Sequence, residues 1–196
     1  MRSALHLNIL AGDTLFGMSL IGIMGLSTCF PEVVTVRLVG QELLILQLLL
    51  GVPLGLVPAW LALKLLSSSV MDPVRIKYEG LIGAYNLNRT EKVWVSICAG
   101  VGEEILFRGF LQYLLIHFGG FWMGITVGSV IFVAIHGYLN PKGGNIGLYG
   151  LFLTAIMILW SYCNESIGIW SVIIAHALFD IVLLSEVEQK TSHQET

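Results

Sequence analysis

From Leu43 to Leu63 the chain reads LLILQLLLGVPLGLVPAWLAL, a run without one charged side chain. A hydrocarbon core about 30 Å thick takes roughly 20 such residues to cross as a helix. Inside lipid each backbone N–H and C=O has to find its partner within the chain, which leaves a helix as the form for a run like this. Ile146 to Asn164 repeats the pattern. The whole chain is 56% hydrophobic and 12% charged, against roughly 25% charged in an average soluble domain. These features predict an all-α, polytopic integral membrane bundle. The net charge of −3 describes loops and tails and says little about partners; a nucleic-acid role would need a basic face, and none is visible in the sequence.

Six spans are expected, near 7–29, 42–65, 91–117, 121–138, 145–163 and 167–186, with Pro53 and Pro58 kinking the second. The first reads as a retained span, because Asp13 interrupts it and no A-x-A cleavage site follows. Between the second and third lies the long hydrophilic stretch SSSVMDPVRIKYEGLIGAYNLNRTEK, and the breaker-rich NPKGGN closes the fourth. Nothing suggests a repeat or a second domain, so 1–196 reads as a single membrane domain. Lys64, Arg75, Lys77, Arg89 and Lys92 gather in one segment, which the positive-inside rule assigns to the cytoplasm. Both termini then fall on the cytoplasmic side, with Arg37 alone arguing the other way. Cys29, Cys98 and Cys163 are isolated in or beside apolar runs and read as small hydrophobes.

Against this oily background GEEILFRGF, residues 102–110, stands out. A charge at the centre of a spanning helix costs about 2.5–3.5 kcal/mol on insertion scales, so such groups face a bundle interior or a hydrated cavity. The third span holds Glu103, Glu104 and Arg108, the fourth ends on His136, and the sixth holds His176 and Asp180. Glu104 and Arg108 are four apart and can pair along one face, as can His176 and Asp180. Glu103 is turned about 100° from Glu104 and stays free of that pair. At about 1.5 Å per residue, Glu103 and His176 lie some 15 Å deep and His136 shallower. One carboxylate and two imidazoles thus converge on a cavity open to the cytoplasm.

A carboxylate beside an imidazole in such a pocket suits activation of water. A second imidazole could donate to the oxygen of a tetrahedral intermediate. The chemistry is attack of water on an amide, with no GxSxG or HExxH pattern present. His6, His117 and His193 read as interfacial or solvated, and Trp94, Trp122 and Trp170 as an interfacial belt.

The same residues carry a resemblance. EEILFR matches EExxxR, FVAIH matches FxxxH and HALFD matches HxxxN/D, in that order, over roughly 92–185. The chain resembles the CPBP intramembrane proteases (CAAX protease and bacteriocin-processing, also called Abi), which include the type II CAAX prenyl endopeptidases. The resemblance implies that Glu103 and His136 activate water. It also implies that His176 with Asp180 stabilises the oxyanion, and that Glu104 and Arg108 form a supporting pair. Prenyl-protease members typically carry Asn where this chain has Asp180. An ionised Asp only accepts hydrogen bonds, so orienting His176 through its other nitrogen is the role expected of it. Glu103, His136 and His176 would also make a zinc set, and a metal-free glutamate mechanism fits equally well. The implied substrate is a membrane-associated peptide: a prenylated tail, a bacteriocin leader or a sorting signal. A non-catalytic immunity or interaction protein and a proton-coupled transporter are the alternatives.

Overall fold

A computed structural model describes residues 11–40, 42–85, 87–139 and 145–192; within 81–85 and 187–192 it describes the backbone only. Residues 7–10 of the first expected span and 140–144 of the exit loop lie outside the described residues. Every described element is helical.

The first span is α1, Asp13–Cys29, which begins as a π-helix over Asp13–Met18. Pro31 then opens a short helix, α2, Pro31–Val39, bent by 117° from α1. This folded-back segment has no counterpart in the expected spans, and it places Arg37 against the bundle. α3, Leu44–Leu66, continues as one helix through Pro53 and Pro58. Pro58 lacks the N–H that the Leu54 carbonyl would accept. The Trp160 indole supplies a donor instead, 3.0 Å from Leu54 O, and the helix survives its proline.

The hydrophilic stretch folds into α4, Asp72–Tyr85, where Arg75 pairs with Asp72 and Glu79. An Asn88–Glu91 capping box opens α5, with Asn88 Oδ1 accepting from Glu91 N and Glu91 Oε2 from Asn88 N. α5 comprises Arg89–Glu104, a π-helical segment Ile105–Leu111, and Gln112–Gly119. The π segment begins directly after the two motif carboxylates, and such insertions recur at functional sites. Gly120, at φ +85°, turns the chain into α6, Phe121–Ile135. α7, Asn145–Ser166, and α8, Ile169–Ser192, complete the bundle.

Of the six expected spans, α3, α7 and α8 are helices long and apolar enough to cross a membrane, and α1 with α2 forms a broken one. α5 is long but carries Glu103, Glu104 and Arg108, and α6 is short, Phe121–Ile135, where the expected span ran to 138. The molecule is an all-α membrane bundle whose polarity runs inside out. Glu104, Arg108, Gln112 and Gln47 are buried, while Leu43, Ile45, Phe16 and Trp122 face outwards.

α8 is the central helix. Gly51 and Gly55 of α3 lie so close to it that a Cβ would run into the Ser171 and Ala175 carbonyls. A Cβ at Gly100 of α5 would come 3.0 Å from Ile173 O on another face. Small residues let membrane helices approach backbone to backbone. Here they fix α8, and with it His176, against both neighbours. On the far side of α5, a Cβ at Gly22 of α1 would sit 2.8 Å from Ile105 O.

Candidate active site

α5, α6 and α8 bring the motif residues together. Glu104 is fully buried and Arg108 nearly so, and Arg108 Nε lies 3.2 Å from Glu104 Oε2. A buried guanidinium needs more than one partner. Arg108 also points Nη2 at Met157 Sδ, 2.8 Å away, and lies 4.4 Å over the Phe132 ring.

The other oxygen of Glu104 is engaged as well, at 2.8 Å from Nδ1 of His176. Sequence spacing assigned Glu104 to Arg108 and left His176 to Asp180, so this bridge across two helices was not anticipated. The available signal was chemical: a carboxylate accepts about four hydrogen bonds, and one arginine does not exhaust it. Because a carboxylate accepts, Nδ1 of His176 is the donor, which directs Nε2 into the cavity. Asp180 Oδ2 lies 3.5 Å from that Nε2. The nitrogen through which Asp180 was expected to orient the ring is therefore held by Glu104.

Glu103 faces a different imidazole. Nδ1 of His136 donates to the Phe132 carbonyl one turn back, at 2.7 Å. In the neutral ring this leaves Nε2 as a lone pair, 3.4 Å from Glu103 Oε2. Glu103 Oε2 has no hydrogen-bond donor of its own. Two acceptors thus lie side by side at the wall of one cavity. Phe132 organises the surroundings, with its ring 4.5 Å from that of His136, 5.8 Å from that of His176 and 5.0 Å from Phe107.

These groups line one cavity of about 230 Å³, whose wall includes Glu103, His136, His176 and Asp180 beside Trp160 and Tyr78. Trp160 stands 5.8 Å from the His176 ring and Tyr78 enters from α4; neither was singled out from sequence. Glu103, His136 and His176, the candidate zinc ligands, all line this cavity. His176 is turned to Glu104 and Asp180, and among the described residues no three His, Cys, Asp or Glu side chains are grouped for a metal ion.

A second cavity, about 200 Å³, is lined by Arg37, Tyr113, Asn164 and Glu165 among others. There the Arg37 guanidinium meets both oxygens of Glu165 and covers the Tyr113 ring. Gln112 and Asn164 also donate to Glu165, so the charges are matched. This cluster explains Arg37, the basic residue out of step with the charge rule: it ties α2 to α7.

Comparison with curated proteins and with solved structures finds no match. A family model does match: residues 87–182, just under half of the chain, fit the type II CAAX prenyl endopeptidase Rce1-like model. The match begins at the residue before the Asn88 cap and ends just past Asp180, enclosing the three motifs and most of the residues that line their cavity. Residues 87–182 therefore carry a type II CAAX prenyl endopeptidase Rce1-like match, in agreement with the CPBP family that the three motifs resemble.

Proposed function

We propose that this chain hydrolyses a peptide bond of a membrane-associated peptide with a water held between Glu103 and His136. The observation that carries the reading is the pairing of two acceptors, Glu103 Oε2 and His136 Nε2, across 3.4 Å. A water seated against both atoms from the cavity side donates one O–H to each and turns its lone pair outwards. Attack on a carbonyl carbon forms the C–O bond as Glu103 takes the water proton. Delivery of that proton to the amide nitrogen lets the C–N bond break.

The developing oxyanion needs a donor. With Nδ1–H of His176 committed to Glu104, Nε2 donates only when the ring carries its second proton. Glu104 on one side and Asp180 on the other supply the negative charge that keeps it there. In this reading Asp180 serves by holding an imidazolium, where Asn in prenyl-protease members would donate directly. Arg108 balances Glu104, and the motif-bearing core is about 92–185 of a single membrane domain. The basic cluster in and around α4 supports a cytoplasmic opening with both termini on that side.

The test is cleavage by detergent-purified protein of an internally quenched peptide bearing a farnesylated cysteine followed by an aliphatic tripeptide. Glu103→Gln and His136→Ala should each lose activity by about 10²–10⁴-fold. Cleavage at the parent rate by both variants overturns the reading. Proton-linked flux abolished by the same changes, with no cleavage by the parent, would point to a transporter.

A further inference from the structure

Four carbonyls of the turn carrying His136 have identifiable donors. The last carbonyls of a helix have no partner within it, so each must find a donor elsewhere. At the end of α6, Phe132 O accepts from the His136 ring and Val133 O from Tyr138 N. Ala134 O accepts from Gly137 N. The carbonyl of His136 itself accepts from Lys77 Nζ at 2.6 Å. The first three bonds are local; the fourth comes from α4, outside the 87–182 match. The ammonium also stands 3.7 Å over the Tyr138 ring, a cation–π contact on the residue two places beyond His136. Gly137 between them takes φ +75°, and a Cβ there would meet Lys77 Nζ at 3.5 Å. Next to Lys77, Tyr78 turns into the cavity, with its hydroxyl 3.2 Å from that of Tyr149.

We infer that Lys77 is a positioning residue of the hydrolytic site: delivered by α4, its ammonium fixes the turn that holds His136 Nε2 opposite Glu103. This rests on the proposed roles of Glu103 and His136. Lys77 touches no reacting atom and acts through the peptide it grips. A small misplacement of a reacting group is costly even when binding is intact. Removing the ammonium should therefore slow the chemical step and spare substrate affinity.

The experiment compares the parent, Lys77→Met and Lys77→Arg, with Glu103→Gln as the inactive reference, on the farnesylated quenched peptide. Lys77→Met should lower kcat by about tenfold to a hundredfold and leave KM within about twofold. Lys77→Arg, which keeps a cationic donor over Tyr138, should recover most of kcat. A second readout needs no turnover: acylation of His136 by diethylpyrocarbonate, followed by mass spectrometry, should quicken severalfold in Lys77→Met and return towards the parent rate in Lys77→Arg. Lys77→Met with the parent's kcat and the parent's acylation rate overturns the inference. So does a loss of thermal stability with kcat unrecovered by arginine, which is the mark of a general folding role. If the parent fails to cleave, or Glu103→Gln cleaves as well as the parent, the functional reading falls, and the His136 acylation rates alone then decide the place of Lys77.

Discussion

Glu104 joins the structural and the chemical halves of the site. One oxygen balances Arg108 and the other holds Nδ1 of His176. Glu104→Ala should therefore lose catalysis about as fully as His176→Ala, on the order of 10²-fold or more, when initial rates on the quenched peptide are compared. Glu104→Gln keeps an acceptor oxygen for Nδ1 and should retain more activity than Glu104→Ala. Arg108 differs because it touches neither imidazole. Arg108→Met leaves a buried carboxylate without its counter-charge and should cost about 3–5 kcal/mol. Chemical denaturation in a fixed detergent would read this, and a variant as stable as the parent would show that the pair is not holding α5. The two carboxylates are adjacent in sequence, yet only Glu103 presents an oxygen to the cavity, since helix geometry turns neighbours about 100° apart.

At the scale of elements, the positions that matter are where helices meet without side chains between them. Gly55 lies against the Ala175 carbonyl, next to His176. Gly55→Val should push α3 off α8, cost about 1–3 kcal/mol through overpacking, and reduce cleavage as well as melting temperature. Gly80 in α4 is the contrasting case, with no atom within 4 Å of the point a Cβ would occupy. Gly80→Ala should leave stability unchanged or raise it by about 0.5–1 kcal/mol. Trp160 tests the proline-bearing α3: Trp160→Phe removes the donor to Leu54 O and leaves a part-buried carbonyl unpaired, a loss of about 1 kcal/mol. These helices are unevenly legible in the sequence. α3, α7 and α8 are legible because a bilayer crossing imposes a long uncharged run. α2 is too short to cross a bilayer and α4 too polar, so both read as connections in the sequence.

For the molecule as a whole, the arrangement is an apolar outer shell around a polar interior, with the cavity lined by the motif residues at the end where α4 lies. A cysteine placed at exposed position 80, with Cys29, Cys98 and Cys163 replaced, should react with a membrane-impermeant maleimide only when the cytoplasmic face is accessible. Labelling from the opposite side would reverse the orientation read from the lysines and arginines. The family match over 87–182 covers the motif-bearing helices, while α1 to α4 lie outside it and still shape the site through Gly55, Lys77 and Tyr78.

What the sequence determined by itself was whatever depends on near neighbours or on the solvent. Hydrophobic runs specify membrane helices, i,i+4 spacing pairs Glu104 with Arg108 and His176 with Asp180, and the three motifs point to the family. What only tertiary structure decided were the partners chosen across the bundle: His176 for Glu104, seventy-two positions away, His136 for Glu103, and Lys77 for the His136 carbonyl. Spacing along a helix says which face a side chain occupies. Which helix meets that face depends on how closely backbones approach, and glycines at 51, 55 and 100 settle that in three dimensions.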